Sequence, residues 1–239
     1  MLDEQRKVWY LRRIDLFESM TDDDIVELAR LLNDFEIPAG IELLGNRDRD
    51  QVYLMKDGAV RIHTIGSSSQ ITLALFGRGR LFGISGRFGN ASPMLGATTI
   101  VPSYICITTW DTLMEVLLSH PAVMLKLVHA MASQLFDAEN WLERLGMASP
   151  RSRLAHLLLE LSEEFGEQSD GGTRIRFRLG HADLARMIGV SRETVSRIAG
   201  EFTRAGWISR DGGMLIVRDP DALKSQTDIH RYRGGDQVQ

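Results

Sequence analysis

The strongest constraint on the fold lies near the C-terminus, where two amphipathic helical patterns are separated by one glycine. The first pattern repeats apolar residues at helical spacing, at Ala182, Leu184, Ala185 and Ile188. Gly189 follows, at the position where a helix end favours a positive φ. Ser191 is of the residue type that caps the start of a helix by accepting from its first N–H groups. The order of these residues predicts two short helices joined by a tight turn.

The second of these helices carries three long polar side chains on one face. Arg192, Glu193 and Arg197 spread over roughly 140° at 3.6 residues per turn. The opposite face is apolar, with Val195, Ile198 and Phe202. An arginine fork pairs with O6 and N7 of guanine, and a glutamate accepts from N4 of cytosine. Although a charged helix face is often only solvated surface, the ordered turn and cap favour a helix that reads DNA bases.

The residues around this pair of helices complete a winged motif. Apolar runs flank Gly212-Gly213 between Trp207 and Val217, which predicts a β-hairpin. Upstream, the alternation from Thr173 to Arg178 predicts a half-buried strand, and we expect the polar segment from Gly166 to Gly172 to be a loop. These elements together predict a winged helix-turn-helix, which presents its second helix to a major groove.

The pattern G-x-S-R-E-T-V-x-R from Gly189 to Arg197 resembles the winged helix-turn-helix of the Crp/Fnr transcription regulators. The resemblance extends over nearly the whole chain but is specific only in this motif. It implies that Arg192 and Arg197 read guanines and Glu193 the opposite cytosine in a GTGA-type half-site. It also implies that Ser191 and Thr194 touch phosphates, a role that we extend to His181.

Charge is distributed unevenly along the chain. The net charge is −4, yet the segment from Arg174 to Arg210 holds eight arginines and three acids, a local charge of +5. Such a segment supplies a field that attracts phosphates. Because this basic surface is small, tight binding to double-stranded DNA is expected to need two copies of the chain.

A heptad pattern in the middle of the chain predicts how two copies would meet. Apolar residues alternate in steps of four and three at Met124, Val128, Met131, Leu135, Ala138, Leu142 and Leu145. This spacing is typical of the seam of a two-stranded coiled coil, and a helix packed on its own domain is the alternative. We expect both, with the seam facing a partner helix and the flanking Leu127, Phe136 and Trp141 facing the protein's own sheet.

The segment from about Phe35 to Trp110 has short apolar runs separated by glycine turns and no helical period. This pattern predicts an antiparallel β-roll, or jelly roll. The resemblance implies that the chain enters this domain through a short helical segment at about Thr21 to Leu32. The chain is therefore of the α+β class, with a sensor domain at 1–120, a dimerisation helix at 121–147 and, from the Ser149-Pro150 helix start, a winged helix-turn-helix domain at 148–239.

The resemblance implies a cyclic-nucleotide-binding-like sensor domain whose effector cradle follows Phe82-Gly83. The candidate pocket residues are Phe82, Gly83, Ile84, Ser85 and Arg87. Cyclic-AMP receptors of this family need a glutamate directly after that glycine and a later arginine for the cyclic phosphate. Here Ile84 takes the first position, Arg87 comes too early, and a buried phosphate without its cation is costly. We therefore expect no binding of cyclic AMP in the usual way.

Other effectors and cofactors fit no better. For 2-oxoglutarate, Met94 and Gln134 stand where the resemblance would place arginines, although Glu139 is kept. Haem ligation through His63, His129 or Cys106 lacks a second ligand at a suitable spacing. We expect no cofactor and no metal site, and a regulator competent without ligand is at least as well supported as any named effector.

Sequence motifs of catalysis are absent, so we expect no enzyme. Two functions remain: a homodimeric transcription regulator, which contacts RNA polymerase if it activates, and an effector-binding regulatory subunit whose C-terminal domain contacts protein. No run approaches the roughly 20 apolar residues of a membrane span. With no signal-peptide pattern, the expected localisation is cytoplasmic without a membrane partner.

Overall fold

The computed structural model describes residues 4–44, 50–65, 72–84 and 95–227, apart from the side chains of residues 141, 144, 145 and 147. The chain divides into two compact units, Met1–Ala138 and Glu139–Gln239. This division falls inside a helix, whereas the domain limits expected from the sequence, at 120/121 and 147/148, stay predictions. Among the described residues, no helix combines the length and apolar character needed to cross a membrane.

The first unit combines helices with antiparallel sheets. Its helices are α1 (Glu4–Leu11), α2 (Asp22–Leu31), α3 (Trp110–Ser119) and the start of α4 (Pro121–Met147), with a 3-10 turn at Asp15–Phe17. Its strands are β1 (Asn33–Ile37), β2 (Gln51–Asp57), β3 (Val60–Thr64), β4 (Thr72–Phe76), β5 (Leu81–Phe82), β6 (Leu95–Thr99) and β7 (Ser103–Thr109). The described strands form one sheet in the order β1-β7-β2-β5 and a second in the order β4-β3-β6. The expected β-roll is confirmed, and so is the short helix expected at about Thr21 to Leu32, for which the structure shows Thr21 as the N-cap.

Strand β2 separates the two apolar cores of this unit. Its residues from 52 to 56 are all buried, because both faces of the strand are covered. Tyr53 and Met55 point into the core between the sheets. Val52 and Leu54 point into a second core that includes helix residues such as Leu28 and Leu117. Because successive side chains of β2 point to opposite faces, this strand packs against the second sheet on one face and against the helices on the other.

A buried ion pair lies across three strands of the first sheet. Lys56 of β2 donates to both carboxylate oxygens of Asp34 on β1, with Nζ 2.8 Å from Oδ1 and 2.6 Å from Oδ2. Both side chains are 0% exposed. Tyr104 of the intervening β7 also donates its hydroxyl to Asp34. Burial lowers the pKa of Lys56, although Asp34 opposes this shift. The sheet therefore encloses two opposite charges, and each compensates the other.

The second unit holds the winged motif. Its helices are α5 (Pro150–Phe165), α6 (His181–Ile188), α7 (Arg192–Arg204) and α8 (Pro220–Lys224). Its strands are β8 (Gly166–Ser169), β9 (Gly172–Arg178), β10 (Ile208–Asp211) and β11 (Met214–Val217), in the sheet order β10-β11-β9-β8. Helix α5 begins with the expected cap, since Ser149 accepts from the N–H of Ser152 and Pro150 follows. The predicted hairpin is confirmed by the pairing of β10 with β11 around two glycines of positive φ.

The predicted loop from Gly166 to Gly172 is wrong in its first half. Residues Gly166–Ser169 form an edge strand that pairs with β9, and Asp170-Gly171 makes the turn. No residue pattern indicated this strand, because none of its four residues is buried and the strand therefore has no alternation of apolar and polar residues. Gly172 has φ +146° and passes so close to β11 that a Cβ would lie 2.2 Å from the carbonyl oxygen of Val217.

Removing the cation of the buried pair should destabilise the first unit. We expect Lys56→Met to lower the free energy of unfolding by about 3–5 kcal/mol, because the Asp34 carboxylate is left buried without its cation. Urea denaturation measures this loss. The double variant Lys56→Met/Asp34→Asn should be more stable than Lys56→Met alone, since no net charge then remains buried. Equal stability of the single and double variants would show that the pair is not coupled.

Candidate nucleic-acid interface

Helix α7 is oriented by its apolar face. Val195, Ile198 and Phe202 are 0%, 2% and 0% exposed, as the sequence predicted. Burial of that face turns the polar face to solvent. The exposed side chains that line one shallow depression on this face are Arg192, Glu193, Ser196 and Arg197. The three predicted base-reading side chains therefore share one accessible surface.

The turn before α7 has the expected geometry. Gly189 ends α6 in the left-handed region with φ 65° and donates its N–H to the carbonyl of Ala185. Ser191 caps α7, its Oγ accepting from the N–H of Thr194 at 3.2 Å. The two hydroxyls also lie 3.2 Å apart. Ser191 is exposed and Thr194 half-buried, so both predicted phosphate contacts lie at the N-terminus of the helix.

Glu193 lies in the first turn of α7 as a carboxylate. Its pKa is lowered because it accepts from its own backbone N–H and from the Ser191 hydroxyl, with a further contribution from Arg192. The partial positive charge of a helix N-terminus favours the same ionised form. At neutral pH this side chain is therefore an acceptor, as contact with an amino group of a base requires.

The two predicted guanine-reading arginines differ in their surroundings. Arg192 makes no ion pair with any residue that the structure describes, and its side chain is exposed. Arg197 donates Nη1 to Oε1 of Glu201, one turn further along α7, at 2.9 Å. Among the described residues, Arg197 thus has a carboxylate as a hydrogen-bond partner and Arg192 does not.

His181 is the first residue of α6 and lies near the positive charges of Arg192 and Arg210. Its pKa is lowered, mainly by burial and further by the positive charges of Arg210 and Arg192. Arg210 in turn links the hairpin to the segment before α6, since it donates to the carbonyls of Gly213 at 3.2 Å and Leu179 at 3.0 Å. The predicted phosphate contact therefore lies within a positively charged surface.

The predicted seam on α4 divides into two parts. Val128, Leu135 and Leu142 are 60%, 62% and 63% exposed, and Ala138 is also exposed. Met124 and Met131 are half-buried and pack against the core of their own unit. The side chain of Leu145 lies outside the described residues, so its place in the seam stays a prediction.

One flanking residue of the seam was predicted wrongly. Phe136 was expected to face the protein's own sheet but is 62% exposed, whereas Leu127 is buried there as expected. The reason is that Phe136 lies on a side of α4 that faces away from its unit, whereas the neighbouring Gln134 and Asp137 contact Leu81 and Arg80. Trp141, the other flanking residue, is outside the described side chains.

The predicted effector cradle is described only in part. Phe82 is buried and stacks on Tyr53 with ring centroids 4.9 Å apart. Gly83 has φ +92°, and a Cβ there would lie 2.5 Å from the carbonyl oxygen of Gln51. Ile84 is half-buried against the helix-side core. Ser85 and Arg87 lie outside the described residues, and the cradle stays a prediction.

The side chains considered for haem are placed as follows. The Nε2 of buried His63 lies 2.8 Å from the hydroxyl of Thr98 and 3.2 Å from Oε2 of Glu42. Cys106 is 1% exposed, and burial raises the pKa of its thiol to about 12. His129 is exposed on α4. Each of the three therefore lies in a separate environment.

Glu201, which contacts a predicted base-reading side chain, and its partner Arg151 were not identified from the sequence. Glu201 accepts from Arg197, a pairing that the spacing of four residues on one helix could have indicated. Glu201 also accepts from Arg151 of α5, which is 50 residues away in sequence. No repeating pattern in the sequence could have predicted a contact between residues so far apart.

The fold and this site define a winged helix-turn-helix protein, a class that binds DNA. Residues 152–226 match the family model described as the Crp-like helix-turn-helix domain. A CRP-like cAMP-activated global transcriptional regulator of Mycobacterium tuberculosis (strain H37Rv) is 26% identical over 89% of this chain and 96% of its own length. The global nitrogen regulator of Synechocystis is 28% identical over 74% of this chain and 80% of its own.

Among solved structures, a CRP/FNR-family transcriptional regulator of Thermus thermophilus is similar, with a TM-score of 0.65 and 26% identity. The match covers 81% of this chain and 97% of that one. The chain contains a Crp-like helix-turn-helix domain, and over most of its length it is similar to transcription regulators of the Crp/Fnr family. It is accordingly a DNA-binding regulator, as the motif from Gly189 to Arg197 predicted.

The surroundings of His181 can be tested without DNA. We expect its pKa to lie below the ordinary 6.5, and Arg192→Gln to raise it because a nearby positive charge is removed. Titration of the imidazole ring followed by NMR measures both values. Because the folded chain binds this proton more weakly than the unfolded chain, His181 lowers stability as pH falls through 6.5.

Arg204→Gln is the matched control, since it removes the same charge from the exposed far end of α7. That variant should leave the pKa of His181 unchanged. If Arg192→Gln also leaves it unchanged, the two side chains are not neighbours.

Proposed function

We propose that the protein binds, as a homodimer, a two-fold DNA site with GTGA-type half-sites. Arg192 and Arg197 pair with guanines, and Glu193 accepts from the cytosine opposite. The observation that carries this proposal is the shared exposure of these three side chains on a helix whose other face is core. A helix presented in this way fits a major groove.

Contacts with phosphates would position the domain. Ser191 and Thr194 lie at the N-terminus of α7, where N–H groups and the helix dipole favour an anion. His181 lies beside Arg210 and Arg192 in the same positive field. Such contacts add affinity and fix orientation but carry no sequence information.

Dimerisation is supported by the apolar stripe of α4, which we define as Val128, Leu135 and Leu142. These residues recur every seven positions and are each at least 60% exposed. Exposed large apolar side chains at heptad spacing are the pattern that a second, parallel helix covers. Two copies would also place two reading helices on one DNA site, which the two-fold symmetry requires.

The sensor domain is proposed not to bind cyclic AMP in the usual way. The Mycobacterium relative is named as cAMP-activated and the Synechocystis relative as a nitrogen regulator, so the named signals differ within the family. Here Ile84 is half-buried against an apolar core where a glutamate would be needed. We also propose that the domain binds neither 2-oxoglutarate nor haem. The protein would then bind DNA without a ligand.

Selection from random-sequence DNA tests the base contacts. We expect the unliganded protein to enrich inverted GTGA-type half-sites one helical turn apart. Arg192→Ala and Arg197→Ala should each relax the preference at one guanine and cost about 1–3 kcal/mol per half-site. Titration of DNA at fixed salt measures the affinity for the selected and for unrelated sequences.

Arg204→Ala provides the control for charge, because it lies on the same helix outside the reading face. It should weaken binding to all sequences alike, if it weakens binding at all. A uniform loss with Arg192→Ala or Arg197→Ala would assign that arginine to phosphate instead.

The dimer is tested by placing a charge in the stripe. Leu135→Lys should shift the protein to monomers and largely abolish DNA binding, because a buried lysine would lack a partner in the seam. Sedimentation velocity measures the oligomeric state. Ser133→Lys, an exposed position on another side of α4, should stay dimeric. A Leu135→Lys protein that sediments as a dimer would contradict the proposed seam.

A further inference from the structure

Glu201 contacts two arginines that belong to different helices. Its Oε1 lies 2.9 Å from Nη1 of Arg197, and its Oε2 accepts from Nη1 of Arg151. The Glu201 side chain is 30% exposed, compared with 64% for Arg197. One carboxylate thus connects an exposed side chain of α7 to Arg151 of α5, whose side chain is 37% exposed.

Arg151 is itself held firmly. Its Nε donates to Oε1 of Gln226 at 2.8 Å. Its guanidinium carbon lies 4.9 Å from the ring centre of Phe202 and 5.5 Å from that of Trp207. Stacking on aromatic rings and a fixed donor direction restrict an arginine to one orientation. Arg151 therefore has a restrained side chain, and Glu201 is hydrogen-bonded to it.

An isolated ion pair on a helix surface would not fix a side chain, because both partners remain mobile and solvated. Here Arg151 is itself restrained by Gln226 and by two aromatic rings, so the Glu201 carboxylate that it contacts has a defined place from which to accept from Arg197. Arg192, which has no such partner among the described residues, provides the contrast within the same helix. An arginine that is already ordered loses less rotamer freedom when it pairs with a base.

We propose that Glu201 is a positioning residue that orients Arg197 for its guanine, and that Arg151 fixes Glu201 in turn. This inference rests on the proposed reading of DNA by Arg197. The carboxylate sets the direction of the guanidinium, while the donors that it leaves unoccupied face outward. Glu201 therefore contributes to discrimination between bases and not to the general attraction of DNA, which its negative charge opposes.

The test measures discrimination and general affinity separately. For wild type, Glu201→Ala and Arg151→Met, DNA titrations compare the selected site, the same site with the Arg197-read guanine replaced, and unrelated DNA. In both variants we expect discrimination at that guanine to fall about tenfold, which corresponds to about 1.4 kcal/mol. Affinity of Glu201→Ala for unrelated DNA should be equal or higher, because a negative charge has been removed. Discrimination at the guanine read by Arg192 should not change.

Two further variants show whether Glu201 acts through Arg197. In an Arg197→Ala background, Glu201→Ala should cause no further loss of discrimination, since the side chain that it orients is gone. Glu201→Gln, which retains the acceptor oxygen without the charge, should recover part of the discrimination. Glu163→Ala, an exposed acidic residue of α5, is the control for loss of charge. Thermal melts of every variant establish that it is folded.

The outcomes separate this inference from the proposal beneath it. If the wild-type protein shows no preference for any base, the proposed reading of DNA fails. If wild type discriminates and folded Glu201→Ala discriminates equally well, only the positioning role is overturned. Tighter and more selective binding by Glu201→Ala would also overturn it, because Glu201 would then compete with DNA for Arg197.

Discussion

The packing of one helix face determines which residues this protein presents to a nucleic acid. Val195, Ile198 and Phe202 are almost fully buried, and burial of each such side chain contributes roughly 1.5–3 kcal/mol. Rotation of α7 about its axis would expose these residues, so the helix has one favourable orientation. Arg192, Glu193 and Arg197 face solvent as a consequence. The polar contacts around them adjust direction within an orientation that the apolar core has already selected.

Sequence alone predicted those parts of the fold that depend on local patterns. Residue types that favour particular backbone conformations predicted the helix ends at Gly189 and Ser191 and the hairpin at Gly212-Gly213. The spacing of short apolar runs and glycine turns predicted the β-roll. The exposed polar face of α7 was predicted for the same reason. These are properties that one element carries in its own sequence.

Contacts between distant segments were not predictable in this way. Lys56 meets Asp34, and Glu201 meets Arg151, only because strands and helices far apart in sequence are brought together. A buried or half-buried ion pair between distant segments produces no repeating pattern in the sequence. The exposure of Phe136 was missed for a related reason: a heptad pattern gives the positions of residues around a helix but does not show which side packs on the helix's own domain.

Strand β8 was also missed from the sequence, and its composition has a further consequence. The strand is four residues long and carries Glu167 and Gln168 at an outer edge of its sheet. At the other edge, β10 ends in Arg210 and Asp211. Short, charged border strands make poor templates for pairing with another polypeptide. The polar residues that prevented the prediction of β8 thus also disfavour edge-to-edge aggregation of the domain.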